Sequence, residues 1–243
     1  MAFNLVYKRF GERSVLIEWP SVINEKTLFD VLAFKDKILK SNIEFIVNIN
    51  HAYNSLLITY ENLKIDFESQ LSSLQKIYNH KNNYEQPKFT QWHIPVCYDA
   101  VFGVDLEILS KAKNISKETI IEQHSQAIYT VYFIGFLPGF LYLGGLDDTL
   151  HFPRKETPRL KIEKGAVAIG GHQTGVYPCE SPGGWNIIGN TPIPFFDVKK
   201  DNPCFATSGD RIKFYPISLK KHHEIKTLVD AGVYQLESEV VHG

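Results

Sequence analysis

Between Ala127 and Ile217 short β-prone runs alternate with glycine and proline: IYTVYFIGF, AVAIGG, TGVYP, WNIIGN, CFATSGD and RIKFYPI. Glycine lets the backbone turn at positive φ, and proline fixes φ and removes a donor. A chain so punctuated cannot run on as long helices or long open strands. Many short strands joined by glycine-rich corners predict a closed or nearly closed β-barrel.

The region before it has a different texture. Val15, Leu16, Ile17 and Trp19 form a β-prone run that stops at Pro20. Leu28, Val31, Leu32, Ile38 and Leu39 then keep helical spacing behind Asn24, a helix-capping residue type. Ile43 to Ile49 and Tyr53 to Tyr60 read as strands joined by a polar turn at Asn50 and His51, and Phe67, Leu71, Leu74 and Ile77 mark a second helix. The order β-β-α-β-β-α fits helices on one face of an antiparallel sheet. The polar stretch NHKNNYEQPK, residues 79 to 88, reads as a linker. The expected organisation is a small α+β domain over residues 1–85 and a mainly-β barrel domain over 86–243. Within the second, Trp92 to Tyr98 reads as a strand, two short helices follow with Ser116 capping the second, and a last helix is expected from about Lys221 to Val233.

Apolar residues make up 44% of the 243 and charged ones 22%, the balance of a globular protein with room for a sizeable core. A net charge of −1 gives no electrostatic case for nucleic acid or an anionic membrane. No stretch reaches the roughly 18 apolar residues of a membrane span. The N-terminal MAFNLVYKRFGERS places charges where a secretory signal needs an apolar run, and Cys97, Cys179 and Cys204 are odd in number and far apart. A cytoplasmic protein with reduced thiols is the reading.

Candidate chemistry clusters in the punctuated region. Arg154 and Arg159 flank the tetrapeptide KETP, either as an anion clamp or as arginines bracing the barrel. His124 ends a predicted helix, where it can serve as acid or base or bond the helix end; His172 is a second such candidate. Gln173, Thr174 and Tyr177 offer uncharged donors and acceptors suited to an amide-like ligand, or to stabilising their own turn. Trp185, after Ser181 and Gly183, can stack on a flat ring or plug the barrel. Ser181 is not a hydrolase nucleophile: CESPGG lacks the first glycine of GxSxG, and Pro182 has no N–H for an oxyanion hole. GAVAIGG puts Gly171 and His172 where a phosphate loop needs Lys and Ser or Thr, and the histidines have no zinc-ligand spacing. His222 and His223 read as solvated residues of the last helix. Met1 is the sole methionine, so a Met-Lys-Met biotin segment is not present.

IPVCYD, FGVDL, GFLPGFLYLGGL, PRKETPR, GGHQTGVYP, SPGGWNIIG and SGDRIKFYPI, in this order from about Trp92 to Ile217, resemble successive signatures of the family of the 5-oxoprolinase B subunit. That family also carries the names kinase A inhibitor and allophanate hydrolase subunit 1. The resemblance implies a cyclophilin-like barrel, partner chains of the C and A types, and ATP-dependent conversion of 5-oxo-L-proline to L-glutamate. The family pattern also has His at position 124. The residue chemistry above makes His124 and Arg154 the catalytic candidates, with Arg159, Gln173, Thr174, Tyr177, Ser181, Gly183 and Trp185 expected around the substrate and no metal. Two other roles go with the family: inhibition of a sporulation-type histidine kinase, and half of a biotin-dependent carboxyltransferase. The chain departs from the pattern at Asn190, where the family commonly has Arg, and at Glu163, Lys164 and Ala166.

Overall fold

A computed structural model describes residues 3–41, 43–61, 66–80 and 88–242. The chain divides into two compact units, Met1–Gln86 and Pro87–Gly243. Residues 81–87, most of the expected linker, lie outside the described residues.

The first unit runs β1 (Val6–Arg9), β2 (Ser14–Glu18), α1 (Glu25–Leu39), β3 (Ile46–Ala52), β4 (Ser55–Tyr60) and α2 (Phe67–Asn79). The strands form one antiparallel sheet in the order β1-β2-β4-β3. Asn24 caps α1, its Oδ1 accepting from the Thr27 N–H at 2.8 Å. Val31, Phe34 and Ile38 of α1 and Leu74 of α2 pack with Val15, Ile17, Leu56 and Ile58 of the central strands. Asn50 and His51 do not turn the chain, as their polarity suggests; they lie within β3. An edge strand has one open flank, so polar residues there stay solvated. The reversal falls at Tyr53 and Asn54, where Asn54 Nδ2 donates to the Trp19 carbonyl.

The second unit is built on the long strand β5 (Lys88–Cys97). It is followed by α3 (Leu106–Lys113), α4 (Lys117–Gln126), β6 (Ile128–Ile134), β7 (Leu141–Gly144), β8 (Arg159–Ile162), β9 (Ala166–Gly170), β10 (Gln173–Val176), β11 (Ser181–Gly183), β12 (Asn186–Asn190), β13 (Arg211–Ile217), α5 (Leu219–Asp230) and β14 (Ser238–His242). The mixed sheet has the order β10-β9-β12-β5-β13-β6-β7. β13 runs parallel to β5 along one flank. On the other flank β14 pairs with the first half of β5, and β12 meets it at Cys97. The end strands β7 and β10 lie beside each other, so the sheet is a nearly closed barrel with helices against it. Val96, Val131, Leu143, Val167, Ile169, Ile188, Ile212 and Phe214 fill it. A separate two-stranded ladder joins β8 and β11.

CFATSGD is a turn and not a strand. Asp210 gathers the N–H groups of Thr90 and Thr207 and the Trp92 indole at 2.8–3.0 Å. Gly209 holds φ +97°, and a Cβ there would collide with the Phe89 ring. Side-chain capture of backbone donors competes with a ladder here. β14 carries no local signal, because its partner β5 lies some 150 residues earlier in the chain. No helix among the described residues is long and apolar enough to cross a membrane.

Candidate functional site

A cleft of about 170 Å³ opens beside β10 and β11, lined by Phe136, Phe140, Tyr142, Arg154, Tyr177, Gly183, Gly184 and Trp185. Its floor is aromatic. Phe140 meets Trp185, Tyr177 and Tyr142 edge to face at centroid distances of 5.7, 6.0 and 5.3 Å. Glycine allows this packing. A Cβ on Gly170 would enter the Trp185 ring, and one on Gly183 would collide with the Tyr177 hydroxyl. The glycine-rich corners that predict a barrel therefore also make space for the floor of the cleft.

Two polar groups stand over that floor. The Arg154 guanidinium lies 5.4 Å from the Trp185 ring centroid, a cation–π distance. No described carboxylate forms an ion pair with it, and it is exposed, so its N–H groups remain available to an anion. Tyr177 is 2% exposed. Burial raises its hydroxyl pKa, against the lowering effects of a backbone hydrogen bond from Trp185 and the charges of Arg154 and Arg159. It stays a neutral donor at physiological pH.

The loop that carries Arg154 is braced from below. Asp105 has no exposed surface, and its carboxylate accepts from Arg159 Nη1 and Nη2 at 2.8 Å each, Lys155 Nζ at 2.9 Å and the Ile187 N–H at 2.7 Å. Burial opposes its charge most strongly, yet these donors prevail and hold its pKa below the usual value. The Lys155 N–H also bonds the Gly184 carbonyl at 2.7 Å. Arg154 is thus fixed between anchored neighbours.

Arg154, Tyr177, Gly183 and Trp185 share the cleft, and the other sequence candidates lie elsewhere. Arg159 forms the bidentate pair with Asp105 and lines a second cleft of about 200 Å³ with Phe102, Ile162 and Asn190. His124 and Thr174 are fully buried in the barrel. Thr174 Oγ1 donates to the Ala168 carbonyl, so it accepts from His124 Nε2, which leaves Nδ1 to accept from the Tyr98 hydroxyl. Burial pushes the His124 pKa down to about 3. A neutral, saturated imidazole with no solvent path is a framework group. Gln173 opens β10 outside the cleft lining, and Ser181 pairs with Ile162, its Oγ buried without a partner. His172 faces His151 with Nδ1 atoms 2.9 Å apart. Among the described residues no three His, Cys, Asp or Glu groups converge as metal ligands.

His222 is not solvated. It is 3% exposed, and its Nε2 bonds Asn190 Oδ1 at 3.0 Å, while Asn190 Nδ2 donates to the Lys164 carbonyl. Asn190 is a buried bracket away from Arg154. Sequence reasoning passes over Phe136, Phe140, Tyr142 and Asp105. The first three sit in the GFLPGFLYLGGL segment, where aromatics between glycines are the available signal. Asp105 resembles an ordinary helix N-cap, yet its side chain makes no cap bond.

The model of the carboxyltransferase domain, subdomain C and D, matches residues 5–206. The chain is 34% identical to the 5-oxoprolinase B subunit of Bacillus subtilis, over 90% of this chain and 95% of that one. It is 40% identical to the 5-oxoprolinase B subunit of Haemophilus influenzae, over 70% and 78%. Among solved structures, Kluyveromyces lactis urea carboxylase superposes at TM-score 0.81 and 18% identity, covering 99% of this chain and 24% of that one, a likeness of fold.

Proposed function

The chain belongs to the carboxyltransferase domain family, subdomain C and D, and from that premise we propose that it is the B subunit of an ATP-dependent 5-oxoprolinase, opening 5-oxo-L-proline to L-glutamate together with A-type and C-type subunits. The relatives that bear the name of the 5-oxoprolinase B subunit support this reading. The nearly closed mixed barrel supports its cyclophilin-like form.

The observation that carries the site is the Arg154 guanidinium, without a carboxylate partner among the described residues, over Trp185 and beside the Tyr177 hydroxyl. A guanidinium binds a carboxylate through two parallel hydrogen bonds. The aromatic floor receives the apolar edge of a small ring, and a neutral phenol donates to a lactam carbonyl. At about 170 Å³ the cleft is below the ~300 Å³ that drug-sized ligands occupy, so it suits the lactam and excludes a nucleotide. ATP, which supplies the activation of the lactam, is therefore not the ligand of this cleft. This chain holds and orients the ring.

Deleting the gene from its host and assaying extracts for glutamate release from 5-oxo-L-proline with ATP tests the reading. Activity is expected to vanish and to return with the wild-type chain, but poorly with Arg154→Ala. Extracts that keep full activity without the chain would refute it.

A further inference from the structure

Phe136 stands apart from the other cleft residues. It holds φ +64°, a region that costs an L residue roughly 1–2 kcal/mol and glycine almost nothing. Its ring is 69% exposed, so burial returns little of that cost. The tight turn after β6 fixes it there, with Leu137 N bonded to the Gly135 carbonyl, Phe140 N to the Leu137 carbonyl, and Gly135 N to the Phe140 carbonyl, at 2.8–3.1 Å. The turn already has glycine at 135 and 139, and a third would fit this backbone better than phenylalanine. Strain held at an exposed aromatic on the rim of an apolar cleft leads to a hypothesis of function. The ring meets Phe140 edge to face at 5.6 Å and 86°, and Phe140 meets Trp185 in the same way. Phe136 is therefore the outer member of an aromatic series whose inner member lies under Arg154.

We propose that Phe136 is a specificity-determining residue: its ring forms the outer wall of the cleft and packs on the ring of a small cyclic carboxylate whose charged end is held by Arg154. This rests on the reading that the cleft holds 5-oxo-L-proline. A ligand so placed has aromatic surface at the floor and at the mouth, which favours a closed ring over an open-chain acid of the same charge. The contact is made to the intact ring equally in the ground state and in the transition state, before the lactam C–N bond has broken, so it acts on binding and leaves the chemical step unaltered.

The chain itself contains a control. Phe45 has φ +66° and is 56% exposed, yet it lines neither the aromatic cleft nor the one beside Arg159. The test uses the complex copurified from the host, with this chain carrying Phe136→Gly, Phe45→Gly or Arg154→Ala. KM and kcat for 5-oxo-L-proline are read, and the melting temperature of each variant chain. Phe136→Gly is expected to raise KM roughly three- to tenfold, the scale of one aromatic packing contact, to leave kcat within about twofold, and to hold or raise the melting temperature as strain is released. Phe45→Gly should leave KM alone. An unchanged KM in Phe136→Gly while Arg154→Ala raises it would overturn the proposal and spare the site. An unchanged KM in both would remove the reading of the cleft itself. A melting temperature that falls by several degrees in Phe136→Gly would assign the ring to the framework, and also overturns the proposal.

Discussion

Replacing Asp105 by Asn tests whether the Arg154 loop is held as the geometry implies. The carboxylate is fully buried and accepts four hydrogen bonds, from Arg159 twice, Lys155 and the Ile187 N–H. An amide keeps one acceptor oxygen, turns an NH₂ toward donors and leaves two cations without a counter-charge. Breaking a buried pair costs about 3–5 kcal/mol. The Arg159 and Lys155 side chains are 31% and 22% exposed and can recover some water, so about 3 kcal/mol is the expected loss. At about 2–4 °C per kcal/mol for a unit of this size, the melting temperature should fall by about 6–12 °C at pH 7. The pH dependence gives a second readout. The folded pKa of Asp105 is depressed, so its stabilisation is complete above the unfolded carboxylate pKa of about 4 and is lost as pH falls through the folded value. Asp105→Asn should therefore flatten the acid limb of a stability profile measured by urea unfolding. A variant melting within about 2 °C of wild type with an unchanged acid limb would refute the bracing argument.

Other consequences are equally concrete. Arg154→Ala should raise KM for 5-oxo-L-proline roughly tenfold, the scale of one charge-assisted contact, and Arg154→Lys should recover only part of it, because an ammonium lacks the planar fork. Gly183→Ala puts a methyl on the Tyr177 hydroxyl and should cost about 1–3 kcal/mol of stability in thermal unfolding along with most activity. His124 should show no imidazole titration by NMR between pH 5 and 8, since its folded pKa lies near 3. Its unfolded form takes up a proton below about pH 6.5, so the barrel should lose stability from there toward pH 3; a His124 titrating near 6.5 would place it in solvent.

Much of this is legible in the residues. Glycine and proline spacing predicts the barrel, because backbone freedom is a local property. The same spacing draws notice to Arg154, Tyr177, Gly183 and Trp185, which line one cleft. Burial is not local, which is why His124 and Thr174 look available and lie instead in the core. Arg159 looks like a ligand for an outside anion because Asp105, its partner, is 54 residues away. His222 looks solvated because nothing near it in sequence foretells Asn190. β14 and the Asp210 turn depend on β5 for the same reason: long-range pairing leaves no trace in a short window.

A structure of the copurified complex with 5-oxo-L-proline is the most direct test. The account predicts the lactam ring between Phe136 and Trp185, its carboxylate on the Arg154 guanidinium and its carbonyl within hydrogen-bond reach of the Tyr177 hydroxyl. A substrate bound on other residues, with this cleft left vacant at saturating concentration, would contradict it.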